Sequence, residues 1–252
     1  MLCQMSYNIK DFKRGGAMRS YIMAIILMIP LFLYSGQTSI YDIQYTSNSG
    51  TDGTYPSPLR NQIVSTNGIV TATNYRNDGF YISEPEGGPW RGIYINDRNR
   101  EVQVGDVVEL TGEVVEHFGF TTIRNVRDLK VISSNNPLPV PTPVTTGELS
   151  ISEAYEGVLV LITNAAVIGK NGEGDAWLIN DGSGISRLGD GFLPVSDRRL
   201  SITTGESFSQ ITGIVDYRYG EYRVSPRIFS DLQRSTVGVT KPSWGRIKSY
   251  YR

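Results

Sequence analysis

"VGDVVELTGEVVEHFGF", residues 104–120, and "TGESFSQITGIVDYRYGEY", residues 204–222, share a skeleton of glycines: Gly105 and Gly205, Gly112 and Gly213, Gly119 and Gly220. A Thr-Gly-x-Val step, Thr111 to Val114 and Thr212 to Val215, sits in the middle of each. In the first stretch Val108, Leu110 and Val114 share a face with Gly112, while Glu109, Thr111 and Glu113 share the other. That period of two predicts a strand with one buried and one wet face. The separation of the two stretches, about a hundred residues, is the length of one ordinary domain. Two copies of one β unit are therefore expected.

Working outward, the first copy offers a long strand in "NQIVSTNGIVTATNY", where Gly68 lets the chain bend at a barrel corner. "GFYIS" (79–83), "RGIYIN" (91–96), "DVVELTGEVVEHF" (106–118) and "FTTIRNVRDLKVI" (120–132) follow it. The second copy reads "GVLVLITNAAVIGK" (157–170), "AWLIN" (176–180), "ISRLG" (185–189), "SFSQITGIVDYR" (207–218) and "EYRVSPRIFSDLQ" (221–233). Five strands per unit, a bent first strand and a tight turn before the last suit the OB-fold, whereas an immunoglobulin-like sandwich needs about seven. "DRNREVQVG", between the third and fourth strands, is too short for much of a helix, so the barrel is a trimmed one. The predicted fold class is all-β: two tandem trimmed OB-fold-like five-stranded Greek-key barrels, over 37–134 and 151–234. The prolines of "NNPLPVPTPVTTG" make 135–150 a semi-rigid linker between them.

The segment "SPLRNQIVSTNGIVTATNYRNDGFYISEPEGGPWRGIYIND" with "VQVGDVVELTGEVVEHFGFTTI" resembles the OB-fold-like modules that accompany secreted bacterial nucleases and phosphoesterases. The resemblance is strongest over 40–132, through the G-I-V-T-A, G-F-Y-I, G-I-Y-I and V-G-D-V-V-E-L-T-G-E-V steps, and weaker over 151–233. It implies a secreted, non-catalytic β-barrel module with nucleic-acid contact. No nuclease domain follows here, so a separately encoded secreted nuclease or an envelope protein is the implied partner.

A search for catalytic chemistry returns nothing that organises a reaction. His117 is the one histidine, at a strand end beside Phe118 and without a G-x-S-x-G or cysteine partner. No metal-ligand spacing occurs, and "NDGSG" (180–184) reads first as a turn. No cofactor, metal or enzymatic activity is expected. A binding surface is better supported. With Phe80, Ile82, Ile93 and Ile95 inward, alternation sends Tyr81 and Tyr94 to the outer face of strands two and three. That face, with the loops after strands one and four, is where OB-folds bind oligonucleotides or oligosaccharides. The first loop brings Tyr75 and Arg76, the second His117 and Phe118, and Trp90 and Arg91 lie between the platform strands. Rings that stack on bases and arginines that meet phosphates suit single-stranded DNA or RNA; cross-strand packing of the tyrosines is the structural alternative. In the second copy Trp177 and Ile179 point inward, leaving no aromatic platform. Tyr217, Arg218, Tyr219, Tyr222, Arg223 and Arg227 crowd one hairpin, as a second contact site or a charged strand edge.

Length and composition agree with a folded, two-domain chain: 252 residues, 39% hydrophobic and 19% charged. Arg19, the apolar run Tyr21–Tyr34 and "SGQTS" have the order of a secretory signal. Residues 1–36 are expected to be a signal peptide or N-terminal anchor, with translation starting at Met1 or Met18. The predicted location is secreted, periplasmic or cell surface. Cys3 is the sole cysteine and precedes the run, so the exported body has no disulfide. That body is acidic on balance, which argues against general attraction to polyanions. The tail, 235–252, places Trp244, Ile247 and Tyr251 on one helical stripe among Lys241, Arg246, Lys248 and Arg252. It suits docking on the barrels, on export machinery or on an envelope surface. A structural envelope component that binds carbohydrate or protein is the alternative to nucleic-acid binding.

Overall fold

A computed structural model describes residues 36–51, 53–76, 78–170, 176–193 and 201–235. The leader run at 21–34 and the basic tail from 236 onward lie outside the described residues. Strands β1 (Ile63–Tyr75), β2 (Gly79–Ser83), β3 (Gly92–Ile95), β4 (Val107–Glu116) and β5 (Thr121–Ser133) close a barrel in the order β1-β2-β3-β5-β4. β3 and β5 run parallel, and β1 closes on β4 antiparallel. β1 serves two neighbours: Ile63–Ile69 pair with β4, and from Ile69 onward the strand pairs with β2. The change falls beside Gly68, where an added Cβ would lie 3.0 Å from the Ser83 carbonyl oxygen and 3.1 Å from Ile40 Cδ1. The bend expected there is therefore a close approach of β1, β2 and a segment not expected from the sequence. That segment is α1 (Ile40–Gln44), capped by the Ser39 hydroxyl, with Ile40 and Ile43 fully buried in the barrel core.

The linker carries a short β6 (Thr142–Pro143), which pairs parallel with the next barrel, and α2 (Thr146–Leu149), closed by a Thr145–Glu148 capping box. Asp181, within the "NDGSG" turn, accepts from the Thr146 N–H and hydroxyl and so fixes α2 in place. β7 (Leu159–Lys170), β8 (Ala176–Asn180), β9 (Ile185–Gly189), β10 (Ser207–Arg218) and β11 (Glu221–Ser225) then repeat the first barrel's order, with β9–β11 parallel and β7–β10 closing. β12 (Leu232–Arg234) adds to β10. Both barrels have the OB-fold strand order. β6 and β12 are additions at its edges, where a proline costs no ladder bond. Among the described residues no helix is long and apolar enough to cross a membrane.

Each barrel has its own core, Val70, Phe80, Ile82, Ile93 and Leu110 in the first and Val160, Ile179, Phe208 and Val224 in the second. A third cluster lies between them. Ala72, Tyr75, Tyr81, Tyr94 and Phe120 of the first barrel pack on Leu159, Ile214, Phe192 and Tyr217 of the second. Backbone bonds cross the same seam: Trp90 N–H donates to Ala154 O at 2.6 Å and Arg76 N–H to Gly191 O at 2.9 Å. Gly92 meets the chain at Gly157, where an added Cβ would lie 2.7 Å from Val158 N, so neither barrel has room for a side chain there.

Candidate binding cleft

The β4–β5 and β10–β11 hairpins turn in the same way. His117 and Phe120 exchange backbone hydrogen bonds around Phe118 (φ 54°) and Gly119 (φ 81°). Arg218 pairs with Glu221 around Tyr219 (φ 54°) and Gly220 (φ 79°). Positive φ at both central residues is the two-residue hairpin geometry that favours Asn-Gly, because a bulky side chain is strained in the left-handed region. Here each turn puts an aromatic ring in that strained place. Phe118 is 89% exposed and Tyr219 63% exposed, so neither ring is held there by burial in a core.

Both tips open onto one cleft of about 680 Å³ at the edge of the seam. The first barrel supplies Tyr75 and Arg76 from the β1–β2 turn, Asp78 and Asn96 beside it, and Tyr94 and Phe120 at the back. The second barrel supplies Tyr217, Arg218, Tyr219 and Gly220. The tips are also close to each other, since a Cβ on Gly119 would sit 3.0 Å from the Tyr217 ring. Tyr94 stacks on Phe120 at 5.6 Å, and Tyr75 meets Tyr94 edge-on at 5.4 Å. Burial, then the Asp78 carboxylate, holds the Tyr94 phenol protonated well above its usual range. The Tyr75 phenol is raised likewise, by burial first and then Asp216. Both remain neutral at any physiological pH.

Charge in the cleft is mixed. Arg76 pairs with Asp190 at 3.4 Å, and Asp78 with Arg98 at 2.7 Å. Arg218 donates to the Tyr219 hydroxyl at 2.8 Å and lies 4.5 Å over its ring, which fixes the ring's direction. His117 holds Phe118 edge-on at 4.8 Å. Such a surface offers flat apolar faces, two guanidinium groups and hydrogen-bonding amide and carboxylate groups. Among the described residues no cluster of His, Cys, Asp or Glu is placed to hold a metal ion.

The sequence-predicted residues divide into three sets. Tyr75, Arg76, Tyr94, His117 and Phe118 line the cleft. Tyr81 does not: it points out of its own barrel as alternation requires, but the second barrel covers it completely. Tyr94, at 5% exposure, keeps only an edge toward the cleft. The expectation that Tyr81 and Tyr94 form an open stacking platform is corrected, because that face is used to hold the other barrel. Trp90 and Arg91 are also corrected as ligand contacts of this site. Trp90 packs edge-on against Tyr45 at 5.6 Å, while Arg91 pairs with Glu84 and covers Tyr41 at 5.1 Å. Sequence reasoning did not place Asp78, Asn96, Phe120 or the second hairpin in this site. The aromatic-Gly pair written in both copies was the signal for the last.

No protein-family model and no curated protein matches the chain. Among solved structures, it has a slight likeness to a murine DNA-binding protein bound with double-stranded DNA. The TM-score is 0.36 at 13% identity, covering 65% of this chain and 93% of that one.

Proposed function

We propose that the chain is a non-catalytic binding module of the exported or envelope compartment, and that its cleft takes single-stranded nucleic acid. The observation that carries this reading is the pair of exposed, strained aromatic tips, Phe118 and Tyr219, one from each barrel on one cleft. A ring kept at positive φ and in water contributes nothing to the core, and strain of this kind gathers at ligand clamps. Bases of any sequence stack on such rings, and Arg76 and Arg218 supply phosphate contacts. The acidic body keeps the affinity modest, at the level of non-specific contacts.

A glycan is the second reading, favoured by the Arg76–Asp190 and Asp78–Arg98 pairs, which damp the attraction for phosphate while leaving groups for sugar hydroxyls. Titrating labelled single-stranded DNA, RNA and oligosaccharides at two salt concentrations separates the two. For nucleic acid, Phe118→Ala and Tyr219→Ala should each cost about 1–3 kcal/mol of binding. Arg76→Ala should lower the salt slope by about one. Binding of oligosaccharides alone, with no salt dependence, would replace the first reading by the second.

A further inference from the structure

Beneath the aromatic cluster the seam holds a group of carboxylates from both barrels. Glu116 ends β4 and accepts from the Ser57 N–H at 2.8 Å and the Thr121 hydroxyl at 2.9 Å. Glu156, 2% exposed and just ahead of β7, accepts across the seam from the Thr121 N–H at 2.9 Å. Glu153, in the same segment, accepts from the Tyr222 hydroxyl on β11. Asp216 on β10 is bonded to the Ser225 hydroxyl. The second oxygens of Glu116 and Glu156, and the Tyr81 hydroxyl, are buried without a hydrogen-bond partner among the described residues. Glu153 and Glu156, buried near one another and beside Glu116, cannot both ionise freely, so the pair keeps protons that water would remove.

We infer that the docking of the two barrels, and with it the cleft they share, is proton-linked: the Glu153–Glu156 pair, beside Glu116 of the first barrel, closes the seam when protonated and loosens it on ionising. The inference concerns regulation of the proposed ligand cleft, and the seam can be tested without any ligand. Burial, with the Glu116 carboxylate, pushes Glu153 up to about 8, against the opposing Tyr222 hydroxyl. Glu156 lies well above the usual carboxylate range, through burial first and then Glu153, with Glu116 and Asp216 adding and the Thr121 N–H opposing. Burial raises Asp216 to about 6, opposed by Ser225, Arg223 and Arg76 and supported by Asp190. The sign follows from these directions. An exposed glutamate ionises near 4.5, so docked barrels hold protons that separated barrels release. Stabilisation of the docked state is complete below about 4.5 and is lost as pH rises through about 8 for Glu153, and further for Glu156. Each retained proton shifts the docked-to-separated ratio about tenfold per pH unit across that window.

Hydrogen exchange of the full chain between pH 5 and pH 8, corrected for the intrinsic rate, reads this equilibrium even when separation is rare. The seam amides of Arg76, Trp90 and Thr121 should lose protection about tenfold per pH unit per proton, while the amides of Val64 and Val114 inside the first barrel should not. Glu153→Gln and Glu156→Gln should each reduce that slope by one proton, and Glu116→Gln, which removes the neighbouring charge that raises both, should move the window to lower pH and serves as a third variant should one of these fail to fold. Affinity for a labelled single-stranded oligonucleotide, measured in parallel, should scale with the docked fraction, holding constant while separation is rare and falling only at pH values where the separated form is populated. Protection at the seam that ignores pH, or that keeps its wild-type slope in the glutamine variants, would overturn the inference. A seam that responds as described in a protein that binds no oligonucleotide would leave it standing and remove the nucleic-acid reading instead.

Discussion

Phe118 occupies the place where a two-residue hairpin would ordinarily put asparagine, and it does so at φ 54° and 89% exposure. Asparagine accepts the left-handed region at lower cost because its short polar side chain bonds locally. Phe118→Asn should therefore stabilise the fold by about 1 kcal/mol, part of the strain that a bulky residue carries there. The same change should weaken oligonucleotide binding by about 1–3 kcal/mol through loss of a stacking face. Thermal unfolding and a titration on one preparation test both; a variant that gains stability and keeps its affinity would remove Phe118 from the site. Residues of this kind are only half legible in a sequence. The Phe-Gly and Tyr-Gly pairs can be read, and so can the outward direction of Tyr81 and Tyr94, since period two fixes the face of a strand. What covers that face is not written in any local pattern. Tyr81 has the same spacing whether it meets a ligand or the second barrel, and only the seam around Leu159 and Ile214 decides between them.

The strands show why the glycine skeleton could be read more fully than the site. Gly112 lies opposite Val64 in the β1–β4 pairing and Gly213 opposite Val160 in the β7–β10 pairing, the same place in each barrel. A Cβ on Gly112 would sit 3.0 Å from the Arg124 carbonyl oxygen, and one on Gly213 would sit 2.6 Å from that of Ser225. In both barrels, then, this strand passes too close to the final strand to carry a side chain. Gly213→Ala should cost about 1–3 kcal/mol as the strands are forced apart. Gly169, in β7, is different, because its added Cβ would meet only Leu178 Cδ1 at an ordinary 3.8 Å. Gly169→Ala should be neutral or stabilising by up to about 1 kcal/mol, through a less flexible unfolded chain. Chemical denaturation of both variants tests the contrast of sign. Repetition exposes such steric requirements because both copies obey them. α1 and β6 had no such echo, being short elements held by long-range contacts such as Ile40 against Gly68, and they went unpredicted; the strand expected over 221–233 is broken, β11 stopping at Ser225 and β12 resuming at Leu232 after a turn.

At the scale of the whole molecule, two barrels of one strand order are joined unlike face to unlike face, and the two faces differ in chemistry. The residue after each repeated glycine shows how. In the second barrel Ile214 is fully buried and pairs with Leu159, and both pack on the tyrosines of the first. In the first barrel the same position is Glu113, opposite Ile63, which is 65% exposed. Glu113 accepts instead from Asn125 at 2.8 Å and from Arg124 at 3.4 Å, so this face of the first barrel is polar and in water. Ile214→Glu would give the second barrel the first barrel's residue, set against the buried tyrosines Tyr75, Tyr81 and Tyr94. An unpaired charge placed in such a seam should cost at least about 3 kcal/mol. Each barrel's own core is untouched, because position 214 points away from it, as Glu113 does in the first. The expected outcome is a protein with intact strand content whose seam amides, Arg76, Trp90 and Thr121, lose protection, and whose ligand affinity falls because the cleft needs both hairpins. Ile214→Val, costing about 0.5–1.5 kcal/mol, should keep both properties. Should Ile214→Glu still bind as the wild type does while its seam amides exchange freely, the cleft would belong to one barrel alone, and Tyr217, Arg218 and Tyr219 would drop out of the site.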